Sequence, residues 1–367
     1  MNRICQLAGR VLVGLALPWV LPMSQAHAAA VGAVLNTPAM PAPQARQAVL
    51  LDLARAGARL VAVGERGIVL LSDDNGSNWR QAQVPVSVTL TAVQFVDANT
   101  GWAVGHAGAV LMSRDGGENW SLQLDGNRAA QLELHAAREQ SSGAADADAA
   151  AARVQTAERM VNEGADKPFL ALRFTDARHG LIVGAYGLAF ATADGGVSWH
   201  SLMGGIDNPM GAHLYAIAEQ GQRWFIAGEQ GYLARSDDGG QSFAALDSPY
   251  SGSFFALQVR EDGTLLAAGL KGNAFISTDA GTSFAPAPVP VPVSFSDAIR
   301  TADGQLLLVN QGGAMFRTTA DSQALQPYGK PLGKPVASIV QAADGSLVVA
   351  GFTGLTRLAS PTAIASE

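Results

Sequence analysis

Five aspartates recur in one short pattern, Ser/Thr-x-Asp-x-Gly-x-x-Trp/Phe. The copies are Ser72-Asp74-Gly76-Trp79, Ser113-Asp115-Gly117-Trp120, Thr192-Asp194-Gly196-Trp199, Ser236-Asp238-Gly240-Phe243 and Ser277-Asp279-Gly281-Phe284. A carboxylate so placed has two chemical uses. It can accept amide N–H groups of its own turn, or it can offer oxygens to a cation or a sugar. The glycine favours the first use, because it supplies the φ > 0 conformation a tight turn needs. No carboxylate cluster has the spacing of a calcium-binding loop. Asp74, Asp115, Asp194, Asp238 and Asp279 are therefore expected to be structural turn staples, and no metal or cofactor is expected.

Other chemistries have less support. The histidines are His27, His106, His135, His179, His200 and His213, with no His-Glu-x-x-His and no cysteine–histidine spacing. The chain has no Gly-x-Ser-x-Gly elbow and no phosphate-binding loop. The one cysteine, Cys5, lies in the extreme N-terminal segment, so neither a disulfide scaffold nor thiol catalysis is expected. Glycoside hydrolysis needs two carboxylates on either side of the scissile bond. The candidates at loop tips are Glu65 and Glu229, three repeats apart.

The elements that must position these residues are set by a repeat. Val/Ala-Gly-x-x-Gly occurs at Val63–Gly67, Val104–Gly108, Val183–Gly187, Ala227–Gly231 and Ala268–Gly272, with looser copies at Val309–Gly313 and Ala350–Gly354. The second position falls at 64, 105, 184, 228, 269, 310 and 351, so the spacing is close to 41 residues except for one step of 79. Each unit reads as four short strands, which matches one propeller blade. The prediction is all-β: a seven-bladed β-propeller over residues 29–367, with four-stranded blades. The long step is a helical insertion between blades 2 and 3, about residues 126–167, with helices near 128–140 and 144–162. Its weakly apolar run 144–152 is expected to be mobile. The last repeat lacks a clear fourth strand, and Val31–Leu35 is expected to supply it.

In such a blade the Gly-x-x-Gly tips and the blade-to-blade connections share one face, here called upper. The aspartate turns lie on the lower face. The tips carry charged, polar and aromatic residues where small ones would suffice for a turn, which suggests a recognition surface. Arg66, His106, Tyr186, Glu229, Gln230 and Lys271 are the candidate partner-binding residues. The insertion is expected at the edge of the same face.

The first 28 residues read as a secretory signal. Arg3 and Arg10 flank the start of an apolar run, Val11–Leu21, followed by Ala26-His27-Ala28. Cleavage is expected after Ala28, giving a periplasmic protein with no stable membrane insertion of its own. The formal net charge of −7 becomes −9 on losing both arginines, which argues against a nucleic-acid partner.

The aspartate turns resemble Asp-box, or bacterial-neuraminidase-type, repeats. Together with Asp97-x-x-x-Gly101-Trp102-x-Val104-Gly105, the pattern resembles the photosystem II stability and assembly factor family and its non-photosynthetic bacterial relatives. That resemblance spans roughly residues 45–358. It implies a non-enzymatic assembly, stability or scaffold factor, monomeric when free, whose partner is an envelope membrane protein or transporter complex. The alternative is a sialidase-like glycosidase or glycan-binding protein. No Arg-Ile-Pro motif of the sialidase kind occurs. A paired-carboxylate pocket near the channel would favour that alternative.

Overall fold

A computed structural model describes residues 31–143, 146–319 and 322–359. The expected signal segment 1–28 lies outside them. Seven antiparallel sheets follow one another along the chain, over residues 50–81, 90–124, 169–201, 214–245, 254–286, 295–328 and 338–358. Six have four strands in sequence order and the seventh has three. The first strand of each blade lines a central channel of about 720 Å³.

No blade holds a core of its own. Each hydrophobic cluster joins two neighbouring blades, and one of them joins blade 7 to blade 1 through Val348 and Ala350 against Leu60 and Leu70. This is why a single repeat cannot fold alone. An aromatic stack joins blades 2 and 3. There Trp102 is fully buried and stacks on Phe174 with ring centroids 3.7 Å apart. Its indole N–H donates to the Gly195 carbonyl across the interface.

The two glycines of the tip repeat have different causes. At the first one the backbone is extended, but a Cβ on Gly64 would lie 2.1 Å from the Val49 carbonyl, and on Gly105 2.2 Å from that of Thr89. The first glycine is thus required by close approach to the incoming connection. The second takes a left-handed φ, +73° at Gly67 and +83° at Gly231.

Residues Val31–Leu35 are not the missing strand of blade 7. They form a short helix, α1 (Val31–Leu35), whose Val34 carbonyl accepts the Ser87 amide and whose Leu35 is buried between blades 1 and 2. Apolar residues at 31, 34 and 35 have helical spacing as well as strand-like composition. Blade 7 is instead met by a 3-10 turn at Ala45–Gln47, whose backbone packs on its tip at Gly354.

The insertion is a helical hairpin, α2 (Gly126–Ser141) and α3 (Ala147–Glu163), capped by Asp125 and Asp146. Residues 144–145 of the run expected to be mobile lie outside the described residues. Ala129, Ala130, Ala157 and Met160 bury its inner side. Buried Glu133 pairs with Arg153 at 2.8 Å and accepts from the Ser201 hydroxyl on the outer strand of blade 3. The hairpin therefore leans on the outer edge of blade 3. Its start also covers the blade 2 tip, since a Cβ on Gly108 would lie 2.5 Å from the Gly126 Cα.

Candidate functional site

The aspartate turns of the lower face are closed systems. In each, Oδ1 accepts the preceding Ser or Thr hydroxyl and an amide four residues on, while Oδ2 accepts the side chain of that same residue. At Asp238 these contacts are 2.6 Å from Ser236, 3.0 Å from the Ser242 amide and 2.6 Å from the Ser242 hydroxyl. Asp74, Asp115, Asp194 and Asp279 repeat the arrangement. The donors, led by the Asn78 amide at Asp74 and by the Ser198 and Ser283 hydroxyls at the other two, hold Asp74, Asp194 and Asp279 at about 2. Oxygens so engaged are poor ligands for a cation. Among the described residues no group of three or more His, Cys, Asp or Glu is placed to hold a metal ion.

The upper tips are built differently. In each of five tips a non-glycine residue sits at left-handed φ: Arg66 at 54°, Ala107 at 58°, Tyr186 at 57°, Gln230 at 52° and Lys271 at 56°. Such a conformation is costly for residues with a Cβ. The backbone amides of three of them turn inward to the next connection. Tyr186 donates to His213 Nδ1 at 2.8 Å, Gln230 to Ser253 and Lys271 to Ser294. The side chains are left at the surface, exposed at Arg66, Tyr186, Gln230 and Lys271. At blade 2 the insertion buries Ala107 and leaves His106 exposed.

Glu229 differs from the other five expected residues. It accepts the His213 amide at 3.3 Å, much as Glu65 accepts the Val49 amide at 2.9 Å. Both carboxylates tie a tip to the connection beneath it. The structure draws Tyr186 and Glu229 together through His213, a residue that sequence reasoning did not select. The Tyr186 and His213 rings are 4.8 Å apart, His213 and Tyr215 6.3 Å, and Tyr215 and Phe255 5.2 Å. This aromatic row runs from the blade 3 tip into the upper mouth of the channel. Burial, then the Glu229 charge, raises the Tyr215 phenol above its usual value. Arg66, His106 and Lys271 take no part in this row.

The channel wall holds a second group that sequence reasoning missed. The Ser338 hydroxyl lies 2.9 Å from Asp52 Oδ1 and 2.9 Å from Asp297 Oδ2. Asp52 also accepts the Leu53 and Val93 amides, and Asp297 those of Ala298 and Ile339. The cluster thus ties blades 6, 7, 1 and 2. A hydroxyl has one proton to give, so both contacts are satisfied when one carboxyl carries a proton. Burial raises Asp52 to about 6, and burial together with the Asp52 charge raises Asp297 to about 7. The signal for these residues is positional. Two residues after the first strand residue paired with the tip, blades 2 to 5 have Ala92, Ala171, Ala216 and Ala256, whereas blades 1 and 6 have Asp52 and Asp297. This carboxylate pair is what the glycosidase alternative requires. All four of its oxygens, however, already accept protein hydrogen bonds.

Comparison with known proteins agrees with this architecture. The family described as photosynthesis system II assembly factor YCF48 matches residues 71–138 and 150–354. The photosystem II assembly lipoprotein Ycf48 of Synechococcus sp. (strain CC9902) is 36% identical over 77 residues, which cover 21% of this chain and 23% of that lipoprotein. The chain therefore matches about a quarter of the length of that curated relative. A solved structure of YCF48 bound to a D1 peptide superposes with a TM-score of 0.62 at 15% identity, covering 86% of this chain and 94% of that one. A streptogramin B lyase superposes as well, with a TM-score of 0.63 at 12% identity over 86% of this chain and 94% of that one, so the shared fold alone does not decide between binding and catalysis. With the matched segments spanning most of the propeller, the chain belongs to the photosynthesis system II assembly factor YCF48 family.

Proposed function

We propose that this protein is an exported, non-catalytic assembly or stability factor. It binds a segment of an envelope membrane protein, or of a transporter complex, through its upper face. The observation that carries this reading is the build of the tips. Four bulky or charged side chains (Arg66, Tyr186, Gln230, Lys271) are held at left-handed φ where glycine would be cheaper, and they face solvent. Strain kept at surface positions is a pointer to function. Aromatic and arginine anchors commonly dominate such interfaces, which makes Tyr186 and Arg66 the principal contacts. His106 and Lys271 widen the rim, and Glu229 sets its geometry through His213.

The relatives support the type of partner. One YCF48 structure holds a peptide, and the curated relative is a lipoprotein. For this chain the reading adds a periplasmic location, cleavage after Ala28 and a monomeric free state. Among the described residues no helix is long and apolar enough to cross a membrane. The engaged oxygens of Asp52 and Asp297 weigh against hydrolysis in the channel.

The test is an affinity pull-down from detergent-solubilised envelope. The wild type is expected to retain a membrane protein that an Arg66→Ala/Tyr186→Ala variant of confirmed fold loses. Retention by both would move the site off the tips. Absence of any specific membrane partner would overturn the reading.

A further inference from the structure

Charge on the upper face is divided by sector. All four lysines of the chain, Lys167, Lys271, Lys330 and Lys334, lie at tips or connections of this face. Three of them, with Arg46 and Arg66, occupy the sector from blade 5 through blade 7 to blade 1. The segments forming that rim, residues 36–49, 82–89, 287–294 and 329–337, contain no Asp or Glu. The one carboxylate at its tips is Glu65, already held by the Val49 amide. The acidic residues of the upper connections and tips lie elsewhere, at Asp125, Asp166, Asp207, Glu229 and Asp247 and along the insertion, in blades 2 to 4 and the start of blade 5.

The same sector exposes apolar side chains. Phe352 at the blade 7 tip is 61% exposed, Met40 beside the blade 1 tip 75%, and Val291 in the proline-rich connection 39%. The parts are contiguous. The Arg46 backbone packs on the blade 7 tip at Gly354, the Lys334 carbonyl faces the blade 6 tip at Gly313, and Ala39 packs on the blade 1 tip at Gly67. Lys334 also donates to Thr356, while Arg46, Arg66, Lys271 and Lys330 have exposed side chains.

We infer that this sector rests on an anionic lipid surface. Five cations match the size of basic clusters that bind acidic headgroups. The apolar residues among them favour a bilayer over an acidic protein, because a bilayer offers phosphates and an acyl boundary in one plane. The contact goes beyond the proposed partner site: it shares Arg66 and Lys271 with that site and leaves Tyr186, Glu229 and Gln230 on blades 3 and 4 free.

The experiment is vesicle flotation of the chain from Ala29 onward, which contains every described element. Phosphatidylcholine vesicles are compared with and without phosphatidylglycerol. Binding is expected with phosphatidylglycerol, weakening as salt rises. Arg66→Ser/Lys271→Ser/Lys330→Ser should lower partitioning by about 100-fold. Phe352→Ser/Val291→Ser should lower it several-fold, and Tyr186→Ala should leave it unchanged. Equal partitioning into both vesicles, or no loss in the triple variant, overturns the inference. So does binding indifferent to Phe352 and Val291, which would leave only a charge attraction that any polyanion could supply. The partner pull-down uses detergent and no bilayer, so failure of one reading is visible apart from failure of the other.

Discussion

The two faces of the disc use polar residues in opposite ways. On the lower face nearly every carboxylate is consumed within its own turn or by an arginine, as at Arg59–Asp73, Arg223–Asp237 and Arg357–Asp344. Left-handed non-glycine residues occur on both faces, at Asn75 and Ala280 below and at five tips above, but four of the upper ones, Arg66, Tyr186, Gln230 and Lys271, carry long or aromatic side chains into solvent. Turn-making accounts for the left-handed φ on either face, and the difference lies in the side chains placed there. The lower turns spend their polar groups on stability. The upper turns give up some stability to display side chains.

The largest expected effect separates two sets of aspartates by pH. Asp52 and Asp297 have folded values of about 6 and 7, above the ordinary 3.8. The native state therefore keeps protons that the unfolded chain releases between about pH 4 and pH 7. Stability should fall across that window as pH rises, by more than any single substitution proposed below. The staples work in the other direction. With Asp74, Asp194 and Asp279 at about 2, their stabilisation is present above the ordinary carboxylate value and is lost as pH falls towards 2. Denaturant titrations over pH should give a dome peaking between the two limbs. Asp297→Asn should flatten the upper limb and leave the acid limb in place. An unchanged upper limb in that variant would remove the shared-proton account of the channel cluster.

A smaller effect tests the lower face alone. Ser236 is buried, donates to Asp238 and accepts the Gly240 amide at 2.9 Å. Ser236→Ala should cost about 1–3 kcal/mol by leaving that amide unsatisfied, with partner binding intact. Chemical denaturation reads the first expectation and the pull-down the second. Loss of binding at unchanged stability would reverse the roles assigned to the faces.

The smallest stability effect has the opposite sign and sharpens the contrast. Lys271→Gly and Gln230→Gly relieve a left-handed φ of 56° and 52°. Each should raise stability by up to about 1 kcal/mol, offset in part by the entropy glycine adds to the unfolded chain. Partner retention should weaken. A thermal melt beside a binding assay decides it, and a variant both stabler and fully competent would show that the side chains are not displayed for use.

Much of this was legible in the sequence because it repeats. The 41-residue spacing fixes the blade number, and five aspartate turns in register mark the lower face. The insertion was visible as helix-prone runs, and its helices fall within a few residues of the expected ends. Three features were not legible, each for a physical reason. Val31–Leu35 is too short for composition to separate strand from helix. Asp52 and Asp297 stand out only once the bulge in each first strand sets which residues face the channel. His213 stands where the next two blades have Ser253 and Ser294, a change of residue type that hides the shared position, and its role depends on the Tyr186 amide reaching its ring. The tips could be located from sequence, but the left-handed φ at their central residues could not.

The central claim is that the upper tips hold a membrane-protein segment, and the pull-down from solubilised envelope tests it most directly. The account predicts one or a few membrane proteins enriched by the wild type and by Ser236→Ala, and lost with Arg66→Ala/Tyr186→Ala. The same proteins retained by the tip variant and lost by the lower-face variant would contradict it.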